Sequence, residues 1–155
     1  MAKRIVLRLD HCIGCRACEA ACMSRFKKEA RIRYGEVSAT VFVPLACRHC
    51  DEPLCAAACP FDVIRRDEET GIVRQSSFHC VGCRSCVMAC PFGVMDTKLR
   101  RCVSQKCSLC SDRAEGPRCV ATCPTGALQF LEDRELEETR LGVSVTGKSA
   151  HWRRP

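Results

Sequence analysis

The sequence predicts an α+β fold of short strands and short helices, repeated once along the chain and held by cysteine ligands in place of a large apolar core. Three observations predict it. Sixteen of the 17 cysteines fall into four groups of four. The groups alternate between compact and stretched spacing, as a duplicated unit would. The segments between them are short and broken by turn residues, with few large apolar side chains.

The elements follow in order. Residues 5–8, Ile-Val-Leu-Arg, read as a first strand. Group one is Cys12-x2-Cys15-x2-Cys18-x3-Cys22. Residues 37–43 read as a strand leading into group two, Cys47-x2-Cys50-x4-Cys55-x3-Cys59, followed by Pro60. Residues 63–66 and 72–75 flank a turn of Asp, Glu, Thr and Gly71, which reads as a hairpin. Group three is Cys80-x2-Cys83-x2-Cys86-x3-Cys90, then Pro91. Group four is Cys107-x2-Cys110-x8-Cys119-x3-Cys123, then Pro124. Helices are expected mostly as single turns after each cysteine loop. The division expected is a main domain over 1–131 and a tail over 132–155. That tail is a charged, helix-compatible stretch to residue 140, then an extended arm ending His151-Trp152-Arg153-Arg154-Pro155.

Groups one and three match at 7 of 11 positions: the four cysteines, one Gly, one Arg and one Ala. Groups two and four end alike, as Cys-Ala-Ala-Ala-Cys-Pro and Cys-Val-Ala-Thr-Cys-Pro. A cubane iron–sulfur cluster needs four converging thiolates. Three cysteines two residues apart wrap one face, and a fourth, three residues on and followed by Pro, serves the other cluster of a pair. Proline ends the local helical turn. Gly14 and Gly82 sit where the loop backbone must approach closely or take positive φ. Zinc sites favour isolated C-x2-C pairs and do not call for this third and fourth cysteine. Four complete groups predict four [4Fe-4S] clusters. The clusters stand in for a core, so the apo chain is expected not to fold. Cys102 lies outside the groups and reads as a small buried apolar residue. His11, His49 and His79 each stand beside a group already filled by thiolates, so hydrogen-bonding or surface roles are expected.

Charge and compartment narrow the function. The formal charge of +7 suggests nucleic acid at first sight. Each oxidised cluster with its thiolates carries about −2, which brings the loaded protein close to neutral. One Trp and one Tyr supply no base-stacking platform, so no nucleic-acid partner is expected. No apolar run approaches a membrane span, so no direct membrane anchor is expected. The N-terminus lacks an apolar signal core and a twin-arginine pair, so the chain is expected in the cytoplasm, where clustered thiols bind metal.

At these four groups the chain resembles the four-cluster ferredoxin-like electron-transfer subunits of redox complexes, over roughly residues 3–131. Such subunits serve tungsten and molybdenum oxidoreductases, formate hydrogenlyases and carbon monoxide dehydrogenases. The resemblance implies tandem bacterial-ferredoxin-like modules and nested pairing of the groups. Cys12, Cys15, Cys18 and Cys123 would hold cluster 1. Cys107, Cys110, Cys119 and Cys22 would hold cluster 2. Cys47, Cys50, Cys55 and Cys90 would hold cluster 3, and Cys80, Cys83, Cys86 and Cys59 cluster 4. Spacing alone leaves nested and sequential pairing open. Cys22 departs from the pattern, with Met23 where the other groups have Pro, which is expected to alter the turn and not the ligation.

The expected function is a non-catalytic relay, passing single electrons between a catalytic subunit and a ferredoxin or flavoprotein. The partner expected first is a tungsten or molybdenum enzyme oxidising aldehyde or formate, with carbon monoxide dehydrogenase or hydrogenase next. A free polyferredoxin and a self-associating, filament-forming wire are the rival expectations. The tail is expected to dock a partner, with Trp152 as apolar anchor and Arg153 and Arg154 meeting acidic residues.

Overall fold

The computed structural model describes residues 3–26, 29–38, 41–76, 78–95 and 106–139. Strand β1 (Lys3–Leu7) pairs antiparallel with β6 (Leu128–Glu132), Leu7 opposite Leu128 and Lys3 opposite Glu132. Helix α1 (Ala17–Phe26) carries the last two cysteines of group one, Cys18 and Cys22, and packs on α4 (Arg118–Ala121). These four elements form an outer unit drawn from both ends of the chain. Helix α2 (Leu54–Ala57), strands β4 (Ile64–Arg66) and β5 (Val73–Gln75), and helix α3 (Ser85–Ala89) form an inner unit. There β4 pairs antiparallel with β5, and α2 packs on α3. Each unit thus has one two-stranded sheet and two helices.

Between group one and group two the chain makes a hairpin, β2 (Arg33–Ser38) with β3 (Val41–Leu45), where one strand over 37–43 was expected. The apolar stretch that signalled the strand belongs mostly to β3. Its partner, Arg-Tyr-Gly-Glu-Val-Ser, alternates too weakly to be seen as a strand before the pairing is known. Strand β6 was not anticipated either. It closes the outer sheet and runs into α5 (Asp133–Thr139), so the boundary expected between 131 and 132 falls inside β6.

Among the helices that carry cysteines, α1 is the exception to the single turn. Its Ala-rich sequence favours helix, and Met23 in place of proline lets it run past Cys22 to Phe26. By contrast α3 stops at Ala89, one residue before Cys90-Pro91. The β4–β5 turn is fixed by Asp67, whose carboxylate accepts from the N–H groups of Glu69 (3.1 Å) and Thr70 (3.0 Å).

The apolar cores are small. The outer one gathers Ile5, Leu7, Ile32 and Leu128 around Cys18 and Cys119. The inner one has six buried side chains, Val63, Ile64, Val73, Met95, Cys80 and Cys86, two of them cysteines. Arg4, 5% exposed, joins the parts: it pairs with Asp51 near group two (3.0 Å) and with Asp133 at the start of α5 (2.7 Å). No helix among the described residues is long and apolar enough to cross a membrane.

Candidate metal centres

The four cysteine loops share one backbone device. The residue before the second cysteine is left-handed in every group: Gly14 (φ 70°), His49 (φ 47°), Gly82 (φ 73°) and Leu109 (φ 53°). The compact groups place glycine there, where positive φ carries no steric penalty. The stretched groups place His and Leu there, at a cost of about 1–2 kcal/mol each, so the loop shape is imposed by its surroundings. A second device follows three of the fourth cysteines. The N–H groups of Asp62, Gly93 and Gly126 donate to the carbonyls of Cys59, Cys90 and Cys123 at 3.3–3.4 Å, turning the chain after each Cys-Pro. Cys22 lies within α1 and has no such turn.

These loops bring the cysteines together in mixed sets. One cavity is lined by Cys12, Cys15, Cys18 and Cys123, and has about 310 Å³ of space including its open mouth. A second, of about 360 Å³, is lined by Cys22, Cys107, Cys110 and Cys119. A third, of about 300 Å³, is lined by Cys59, Cys80, Cys83 and Cys86. Each has three cysteines of one group and one of another. The remaining four also meet: burial raises the Cys50 thiol, and its neighbours Cys47, Cys55 and Cys90 raise it further.

The sets stand in a row. Cys119 of the second set lies within electrostatic reach of Cys18 of the first. Cys107 of the second feels Cys47 of the set around Cys50. Cys86 of the last feels Cys55 of that same set. The order is therefore 12/15/18/123, then 22/107/110/119, then 47/50/55/90, then 59/80/83/86. Of the sixteen cysteines only Cys15 and Cys83 are exposed, one in each terminal set.

The thiols suit a cationic metal core. Burial pushes the Cys18 thiol up to about 11, and those of Cys107 and Cys119 to about 12. Cys107 is half-buried by area because it faces its cavity. Such thiols ionise only when a metal balances the charge. Four thiols converging on one hollow are the ligand set of an iron–sulfur cluster.

Donors point at the sulfurs. The Arg31 N–H reaches Cys22 Sγ at 3.1 Å, and the Leu109 N–H reaches Cys107 Sγ at 3.4 Å. Gln75 Nε2 lies 3.7 Å from Cys80 Sγ. The hydroxyls of Ser85 and Thr125 lie 3.5 and 3.8 Å from Cys83 and Cys123 Sγ. Lys106 Nζ lies 3.5 Å from Cys55 Sγ. Two guanidinium groups stack on rings nearby, Arg31 over Phe26 (3.9 Å) and Arg48 over Phe92 (3.7 Å).

The histidines divide. His49 is buried, and its Nδ1 accepts from the Val73 N–H at 2.9 Å. Burial first, then the cations Lys106, Arg4 and Arg66, push its pKa down to about 3, so the ring is neutral. His11 and His79 are exposed, the first beside Asp10 and the second edge-on to Phe78. Cys102 and the arm with Trp152, Arg153 and Arg154 lie outside the described residues. Sequence reading missed the sulfur-facing donors. Ser85 and Thr125 stand two residues after a cysteine, and Lys106 stands just before one, so position could have flagged them. Gln75, at the end of β5, and Arg31, between α1 and β2, carry no such signal, because only the fold brings them in.

Comparison with known proteins agrees with this chemistry. A family model described as a 4Fe-4S dicluster domain matches residues 37–133, and one described as a 4Fe-4S binding domain matches residues 9–23. Electron transport protein HydN of Escherichia coli (strain K12) is 31% identical over 166 residues, covering 89% of this chain and 93% of HydN. Thiosulfate reductase electron transfer subunit PhsB of Salmonella typhi is 36% identical over 144 residues, covering 81% and 74%. An iron-sulfur protein of Rhodospirillum rubrum is 34% identical over 153 residues, covering 79% and 78%.

Proposed function

The chain belongs to the 4Fe-4S dicluster family of electron-transfer proteins, and from that premise we propose that it relays single electrons along four [4Fe-4S] clusters as the non-catalytic subunit of a cytoplasmic oxidoreductase. The carrying observation is the row of four mixed cysteine sets. On this reading Cys12, Cys15, Cys18 and Cys123 hold cluster 1, and Cys107, Cys110, Cys119 and Cys22 hold cluster 2. Cys47, Cys50, Cys55 and Cys90 hold cluster 3, and Cys80, Cys83, Cys86 and Cys59 hold cluster 4. The outer and inner units are then two bacterial-ferredoxin-like modules, one nested in the other.

When bound, each cluster supplies reversible one-electron chemistry. The chain supplies the rest. Its cysteines hold the sites in sequence, its buried side chains keep water from the middle ones, and its N–H and O–H donors favour negative charge on the sulfurs. Exposure of Cys15 and Cys83, one in each terminal set, supports entry and exit at the two ends of the row. The name of PhsB, an electron transfer subunit, supports a catalytic partner at one end, and we take a tungsten or molybdenum oxidoreductase as that partner.

Iron and sulfide analysis of anaerobically purified protein tests the count. About sixteen irons per chain are expected, and a reproducible content of about eight overturns the four-cluster reading. Affinity purification from the native cell tests the assignment to a complex. Recovery as a lone monomer overturns it in favour of a free carrier. Deleting 142–155 should lower the partner's yield if the tail docks it.

A further inference from the structure

We infer that Lys106 sets the reduction potential of one cluster, the one at Cys47, Cys55, Cys50 and Cys90, above that of its neighbours in the row. The inference rests on the proposal that these four cysteines hold a cluster. Lys106 is 3% exposed. Its Nζ lies 3.5 Å from Cys55 Sγ and 3.9 Å from Met95 Sδ, and Cys47 is near enough to favour its charge. The ammonium therefore meets two sulfurs, one of them a ligand of this set, with a second ligand close by. Among the described residues no carboxylate pairs with it. The other buried cation, Arg4, is neutralised by Asp51 and Asp133.

The remaining sets are served differently. Gln75 and Ser85 face the 59/80/83/86 set with neutral donors, and Thr125 faces Cys123 in the first. The 22/107/110/119 set receives neutral backbone N–H groups from Arg31 and Leu109. The Arg31 guanidinium beside it lies on the Phe26 ring and is tied to the Lys106 carbonyl at 2.7 Å. Reduction adds one negative charge to a cluster. A buried ammonium at donor distance from one of its ligands stabilises that charge through a poorly screened interior, and net local charge and hydrogen bonds to sulfur are what set cluster potentials.

The position gives this a consequence for the relay. The backbone of Lys106 adjoins Cys107, a member of the outer unit, while its side chain reaches Cys55 of the inner unit. It sits where an electron must cross between the units, and it favours the electron on the inner side. Lys106 acts through the ligands and is a positioning residue, not a catalytic one.

The test is a dithionite–ferricyanide redox titration of the full-length, anaerobically loaded protein, read by low-temperature EPR. The signal of this cluster is identified as the one altered in Cys50→Ser. Lys106→Met should shift that cluster's reduction equilibrium at least tenfold toward the oxidised form, about 59 mV for one electron. The other clusters should move less than threefold, and Lys106→Arg should restore the original value to within threefold. An unshifted cluster at full iron content overturns the inference, as does an equal shift of every cluster. If Lys106→Met loses iron, Lys106→Gln is titrated instead. Loss of iron in both, with Lys106→Arg intact, makes Lys106 an assembly residue and also overturns it. A Cys50→Ser protein with unchanged iron and unchanged spectra would instead refute the underlying site, whatever Lys106 does.

Discussion

The outer and inner units use the same parts and differ in how far apart the chain supplies them. The inner hairpin joins Ile64–Arg66 to Val73–Gln75 across one short turn, and its two cysteine sets close within residues 47–90. The outer sheet joins Lys3–Leu7 to Leu128–Glu132, and its cysteine sets draw Cys12 together with Cys123 and Cys22 with Cys107. Closing the longer loop costs only slightly more entropy, since that cost grows with the logarithm of length. The outer unit offsets it with a larger apolar cluster and longer strands. Similar local chemistry therefore tolerates very different connectivity, provided the ligands still converge.

That comparison can be broken most severely by removing iron. Chelation under reducing conditions should unfold both units together, read as loss of ordered circular dichroism and of amide protection. Neither apolar core suffices alone, and burial of uncompensated thiols disfavours the native arrangement. Survival of the outer unit in the apo protein would mean that its apolar cluster carries more than its size suggests.

Connectivity itself is tested by paired cysteine changes. If Cys22 and Cys119 serve one site, the double variant Cys22→Ser/Cys119→Ser should lose about four irons, no more than either single variant. Loss of about eight irons would indicate two different sites and a sequential arrangement.

The join between the units comes next. Arg4→Met should lower stability by about 1–2 kcal/mol, less than for a fully buried pair, because Asp51 and Asp133 keep access to water once it is gone. Denaturant titration followed by visible absorbance would read it. The smallest effect is expected at the sheet end. Lys3 and Glu132 pair at 3.6 Å with both side chains partly in solvent, so Lys3→Gln should cost no more than about 0.5 kcal/mol.

The cysteine grammar made the α+β class and [4Fe-4S] chemistry legible, because cluster ligands obey fixed local spacing. Residues 63–66 and 72–75 were legible as a hairpin for the same reason: turn residues and short range. The β1–β6 pairing was not, since nothing in Leu-Gln-Phe-Leu-Glu says that its partner lies at the other end of the chain. Spacing also could not choose which fourth cysteine joins which three. Lys106 escaped notice because its importance comes from where its side chain ends, across the junction from its own loop.

The β1–β6 pairing also imposes an order in time. A ribosome delivers β1 well before β6. The cavity with Cys12, Cys15 and Cys18 cannot close until Cys123 has emerged, whereas the inner cavity with Cys59, Cys80, Cys83 and Cys86 can close much earlier. Synthesis therefore leaves the thiols of Cys12, Cys15 and Cys18 waiting for their fourth partner after the inner set is complete.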